Sequence, residues 1–90
     1  MQTLRFTSQF KKDFKCMRKR GADIKKLHAV IGKLANEEEL DARYKDHPLQ
    51  GKFAEAHDCH ISPDWILIYV ILGNELRLIR TGTHADLFAK

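Results

Sequence analysis

The sequence predicts an α+β domain in which an antiparallel sheet carries an N-terminal helical hairpin. Three features of the 90-residue chain predict it. Two stretches in the first third repeat apolar residues at helical spacing. An unbroken apolar run, "WILIYVIL", fills residues 65–72, and a Gly-Asn pair then separates it from another strand-like segment. The expected order is β-α-α-β-β-β with a short helix at the end.

Residues 2–6, "QTLRF", read as a strand that stops at Thr7-Ser8, either of which can cap a helix by accepting a hydrogen bond from a free backbone N–H. Phe10, Phe14 and Met17 then recur at i, i+4 and i+7. They make one buried stripe, and Gly21 suits the stop. Asp23 caps a second helix, whose Ile24, Leu27, Val30, Ile31 and Leu34 again mark one face. The two helices form a hairpin. From 36 to 50 the pattern fades into an acidic, then mixed, irregular connector, where Pro48 biases His47 toward an extended backbone. Strands follow at 52–61, 65–72 and 75–81, with "SPD" and "GN" as turns. The run at 65–72 has no polar alternation, so both its faces are covered, as in a central strand with helices on one side. "HADLF", 84–88, is the short last helix.

A chain of this length, 43% hydrophobic, suits a single domain over residues 1–90 with one modest core. The longest apolar run is less than half of the roughly 20 residues that a membrane span needs, and the N-terminus is polar, so a cytoplasmic protein without membrane contact is expected. Cys16 and Cys59 lack a CxxC spacing and read as buried, reduced thiols. Charge is segregated. Residues 1–35 hold ten Lys or Arg against Asp13 and Asp23, a balance of +8; with a whole-chain net of +4, residues 36–90 carry −4. Lys11, Lys12, Lys15, Arg18, Lys19, Arg20, Lys25 and Lys26 are candidates for contact with RNA phosphates, beside the plainer reading that they solvate helix faces.

The stretch "HISPDWILIY", 60–69, sets His60 and Asp64 beside a buried strand. His60 shares a row with Asp58 and should be accessible; His57 shares the row of Cys59 and reads as structural. In the last strand Arg80 continues the row of Leu76 and Leu78, either lying over the core edge or entering a cleft at the end of the sheet. The tight turn between strands places residue 80 across from Asp64 and Trp65, and His84 follows four residues later. His60, Asp64, Arg80 and His84 are therefore expected to converge.

Such a set suits cleavage of RNA by its own 2′-hydroxyl. That reaction needs a base for the 2′-OH proton, compensation of charge at phosphorus, and an acid for the departing 5′ oxygen. Histidine, with an ordinary pKa of about 6.5, serves as either acid or base, and arginine offers a fork for phosphate oxygens. Phe88, and with it Trp65, offers a ring for stacking on a base. A metal site built from His47, His57, His60, His84 and Asp64 is the competitor. No HExxH or Cys-rich spacing supports it and Arg80 would repel a divalent ion, so no metal and no cofactor are expected.

"YKDHPLQG" at 44–51, "HISPDWILIY" at 60–69 and "IRTGTHADLF" at 79–88 together resemble the YafQ-type toxins of the RelE/ParE superfamily of bacterial toxin–antitoxin systems. The resemblance implies a RelE/ParE-like, microbial RNase-like fold and an endoribonuclease that cuts mRNA in the ribosomal A site. His47, His60, Asp64, Arg80, His84 and Phe88 match the family's active-site residues. The roles it suggests are His84 as general acid, His60 or Asp64 with His47 on the base side, Arg80 on the scissile phosphate and Phe88 positioning a base. It also implies contact with 16S rRNA, a cognate antitoxin of the DinJ type, and operator DNA reached only through the antitoxin complex. Two alternatives stay open on the same fold: a ParE-like gyrase inhibitor and a noncatalytic RNA-binding module.

Overall fold

The computed structural model describes residues 2–48 and 56–88. In chain order the elements are β1 (Thr3–Phe6), α1 (Ser8–Lys19), α2 (Ile24–Ala35), a 3₁₀ turn (Ala42–Tyr44), β2 (His47–Pro48), β3 (His57–Ser62), β4 (Trp65–Leu72), β5 (Glu75–Gly82) and α3 (His84–Phe88). The strand expected from 52 is described from His57 onward; its earlier part lies outside the described residues. The two-residue β2 falls inside the stretch expected to be irregular, and it pairs with His57 and Asp58.

Both predicted caps form. The Thr7 hydroxyl accepts from the Phe10 N–H at 2.9 Å, and Asp23 accepts from Lys25 N–H at 3.2 Å. Gly21 follows α1 with φ +84°, a conformation that costs a residue without a Cβ least.

The sheet order is β1-β5-β4-β3-β2. It is mixed, which corrects the antiparallel sheet expected from sequence: β1 runs parallel to β5, and the other pairs are antiparallel. β3, β4 and β5 are joined by tight turns that dictate their direction, whereas β1 is separated from every other strand by two helices. Only the sheet edge that it joins sets its direction, and the apolar pattern does not encode that edge. β1 pairs through Leu78 only. Beyond it α1 takes over the edge of β5: the Thr7 hydroxyl donates to Ile79 O at 2.7 Å, and Asp13 accepts from Thr81 N–H at 3.3 Å. The strand edge is thus covered by a helix.

The main core lies between the hairpin and the sheet, with Phe10, Met17, Leu27, Val30 and Leu34 against Trp65, Leu67, Tyr69, Leu76 and Leu78. A smaller cluster on the other face holds Ala56, Ile66 and Ile68, with half-buried Val70, Ile79 and Leu87 packed on it. β4 is therefore covered on both faces as expected, except at its end, where Ile71 and Leu72 are exposed.

Both cysteines are free thiols, but only Cys59 is buried. Cys16 is exposed because it falls outside the Phe10–Phe14–Met17 stripe. Burial pushes the Cys59 thiol up to about 12. In native protein one thiol equivalent, Cys16, should react promptly with Ellman's reagent, and the second only on unfolding; two promptly reactive thiols would contradict this core.

Candidate active site

Directly paired residues of antiparallel strands share a face, so the register gives the layout of the sheet surface opposite the hairpin. One cross-strand row there runs Asp58–Ile68–Arg80, and the next runs His60–Ile66–Gly82. The backbone of His47 pairs with Asp58 at the end of the first row; its side chain lies outside the described residues.

Arg80 reaches this face by a route that the sequence reading missed. Tyr69 pairs with Leu78 and Ile68 with Arg80, leaving Ile79 as an extra residue, a β-bulge. The bulge breaks the alternation, so Arg80 does not continue the row of Leu76 and Leu78 and does not lie across from Asp64 and Trp65. Its guanidinium is held by Asp13 of α1 through Nε–Oδ2 at 3.0 Å and Nη2–Oδ1 at 3.1 Å. Asp13 is buried and also accepts from Gln9 Nε2 at 3.0 Å. This pairing holds Arg80 above its ordinary pKa, the hydrogen bonds to Asp13 being the largest cause. A guanidinium has five N–H groups, of which Asp13 takes two, so three remain for a phosphate.

His60, Asp64, His84 and Phe88 do come together, from β3, the β3–β4 turn and α3. Asp64 Oδ1 accepts from the His84 backbone N–H at 3.2 Å and lies 2.8 Å from His84 Nδ1. A proton on Nδ1 satisfies that contact and leaves Nε2 as the working nitrogen. The His84 hydrogen bonds hold the Asp64 carboxyl below its ordinary range, so it stays ionised near neutrality. The His84 ring lies 5.4 Å from that of His60 and 6.3 Å from that of Phe88, centroid to centroid. Phe88 is exposed, as a stacking ring must be.

Trp65 is a correction. It is buried, and its indole N–H donates to Thr81 Oγ1 at 2.8 Å, which in turn donates to the Ile66 carbonyl at 2.8 Å. As the first residue of β4 it points into the hairpin core, because parity places it with Leu67 and Tyr69, and no base can stack on it. His57 is structural, as expected: it stacks on Tyr69 and lies 3.3 Å from Asp46.

α3 is fixed by Asp86, which the sequence reading passed over. Thr83 and Asp86 form a reciprocal capping box, with Thr83 N–H to Oδ2 at 3.0 Å and Asp86 N–H to Thr83 Oγ1 at 3.2 Å. The spacing T-x-x-D is its signal. Arg20 clamps the same carboxylate through Nη1 at 2.6 Å and Nη2 at 3.2 Å. Arg20 therefore ties α3 to the end of α1, whereas Lys11, Lys12, Lys15, Arg18, Lys19, Lys25 and Lys26 are exposed on the hairpin. Gly82 permits the close approach of α3, since a Cβ there would meet Asp86 Cβ at 3.0 Å.

Arg20 and Thr83 hold the Asp86 carboxyl far below its ordinary value of 3.8. A depressed carboxyl contributes stability that is fully present above the ordinary value and is lost as the pH falls through the folded value. Asp86→Asn should therefore melt below the parent protein at neutral pH, and the gap should shrink as the pH drops below 3.8. A gap that persists undiminished in acid would show that the clamp is not electrostatic.

Among the described residues, no group of three His, Cys, Asp or Glu is placed to hold a metal ion, and no helix is long and apolar enough to cross a membrane.

Comparisons with known proteins show the family and the fold. The family described as "Bacterial toxin of type II toxin-antitoxin system, YafQ" matches residues 2–89. The mRNA interferase toxin YafQ of Escherichia coli K12 is 46% identical over 86 residues, 94% of each chain. The crystal structure of YafQ from E. coli BL21(DE3) superposes with a TM-score of 0.92 at 44% identity, covering 98% of this chain and 99% of that one. YafQ in the crystal structure of the E. coli DinJ–YafQ complex gives 0.91 at 45%, covering 98% and 99%. The chain belongs to the YafQ family of bacterial toxins of type II toxin–antitoxin systems.

Proposed function

We propose that the chain is an mRNA interferase, an endoribonuclease that cuts mRNA in the A site of the ribosome and so stops translation. The observation that carries the reading is the pair of imidazoles, His60 and His84, 5.4 Å apart, with Asp64 bonded to His84 Nδ1. In the proposed reaction a base removes the 2′-OH proton and the 2′ oxygen attacks phosphorus. The bond to the 5′ oxygen breaks, and an acid protonates that oxygen. The products are a 2′,3′-cyclic phosphate and a 5′-hydroxyl end.

His84 is the acid. An ionised Asp64 has no proton to donate and is a weak base, so its part is to hold the His84 ring. The base side falls to His60 with His47. Arg80, already held by Asp13, offers its remaining N–H groups to phosphate oxygens, and Phe88 stacks on a base. A domain this small has little surface with which to hold a flexible RNA in line for attack, and the ribosome supplies the codon already ordered. The exposed lysines of α1, with Arg18 and with Lys25 of α2, bind 16S rRNA. A DinJ-type antitoxin restrains the toxin, as the E. coli DinJ–YafQ complex suggests, and operator DNA is met only through that antitoxin.

The test is to map 5′ ends on a translated message with purified ribosomes and the protein. Discrete cuts within A-site codons, bearing 5′-hydroxyl ends, and only weak, salt-sensitive cutting of naked RNA are expected. Equal rates with and without ribosomes would refute ribosome dependence. Loss of DNA supercoiling before mRNA breakage in induced cells would favour a gyrase inhibitor, which has no use for paired imidazoles.

A further inference from the structure

Beside His60 the surface opens into a cleft of about 430 Å³ that the six matched residues do not explain. Lys26 of α2, Arg43, Tyr44 and Lys45 of the 3₁₀ turn, and Ser62 of β3 line it together with His60. Three cations from two segments therefore face one space, and no Asp or Glu is among its described lining residues. Arg43 is fixed in advance: its guanidinium carbon lies 4.9 Å from the Tyr44 ring centroid and Nη2 donates to the Tyr44 hydroxyl at 3.0 Å. Lys45 ends the turn in the left-handed region at φ 49°, where glycine would be less strained, so the position keeps an ammonium group at a conformational cost. The volume lies in the range of small-ligand sites, and ordered cations beside an aromatic ring suit a nucleotide phosphate.

We propose that this cleft is a second phosphate subsite. It holds the phosphate of the mRNA nucleotide that neighbours the cleaved bond on the β3 side, with its charge met by Lys26, Arg43 and Lys45. The strand then crosses the sheet face from Arg80, past His84 and His60, into the cleft. Lys26 accordingly serves the substrate strand and not the rRNA. The subsite rests on the endoribonuclease reading for the identity of its ligand, but its binding can be measured without cleavage.

The probe is a fluorescent RNA trinucleotide with 2′-O-methyl groups, which cannot be cut, titrated at low salt against the whole protein. The two dinucleotides that lack one end or the other are titrated alongside. The wild type should bind the trinucleotide about 10-fold more tightly than one of the dinucleotides, the step expected for one well-met phosphate. The exposed variant Lys26→Ala and the double variant Arg43→Ala/Lys45→Ala, both checked for native circular dichroism, should lose that advantage. Their slope of log K against log salt should fall by about 1. Unchanged trinucleotide affinity in both variants would overturn the subsite. So would variants that keep the trinucleotide but bind ribosomes more weakly, since the cations would then face rRNA. Wild-type protein that shows the 10-fold step yet cuts no RNA would support the subsite while defeating the nuclease reading.

Discussion

A His84→Ala protein folds like its parent and cuts translated mRNA about 10²- to 10⁴-fold more slowly, the span that a positioned acid–base group contributes. The fold should survive because His84 is exposed and, among the described residues, its ring meets the site residues Asp64, His60 and Phe88. The loss should be large because Asp64 holds the His84 ring through Nδ1 and so fixes the nitrogen that would donate the proton. Asp64→Asn separates the contribution of the ring from that of its orientation. The amide can offer Nδ1 a donor, favouring the wrong tautomer, so the rate should fall although the volume is kept. Single-turnover cleavage on programmed ribosomes, with circular dichroism as the control, measures both. A folded His84→Ala protein that cuts at the parent rate would exclude His84 as the acid.

Replacing Asp13 by Ala should cost stability as well as activity. Asp13 is the acceptor for two N–H groups of Arg80, for Thr81 N–H and for Gln9. Its removal leaves a partly buried guanidinium without its counter-charge and a buried backbone N–H without a partner, together on the order of 3 kcal/mol. In a domain of this size that lowers the melting temperature by roughly 10–20 °C. Cleavage by the surviving folded protein should drop because the Arg80 fork is no longer fixed. A double-mutant cycle with Arg80→Met isolates the pair term, and the coupling should exceed 1 kcal/mol by about twofold. A melting temperature within a degree or two of the parent would show that Asp13 does not hold the edge of β5.

Most elements were legible because each carries its own local signal. Thr7 and Asp23 cap helices, Gly21 ends one, and residues 65–72 form the central strand with the bounds that the apolar run suggested. The direction of β1 was not legible, since it depends on a neighbour some seventy residues away. Within the site, the grouping of His60, Asp64, His84 and Phe88 followed from short-range geometry: a tight turn and one turn of helix. Arg80 was misplaced by extending strict alternation through the bulge, and Trp65 by judging a ring by its neighbours in sequence when the parity of its strand puts it in the core. Asp13 had left a trace. It is an acid on an otherwise basic helix, three residues after Phe10 and four before Met17, on the stripe that must be buried. A charge in such a place needs a partner, and the partner was Arg80.

The bulge at Ile79 makes the length of β5 part of the proposed chemistry. Straightening the bulge with every residue kept would slide the pairing by one and return Arg80 to the parity of Leu76 and Leu78, on the hairpin side, where the buried core has no room for a guanidinium. The local two-for-one offset opposite Ile68, rather than the strand's apolar pattern, thus decides which face of the sheet carries the arginine.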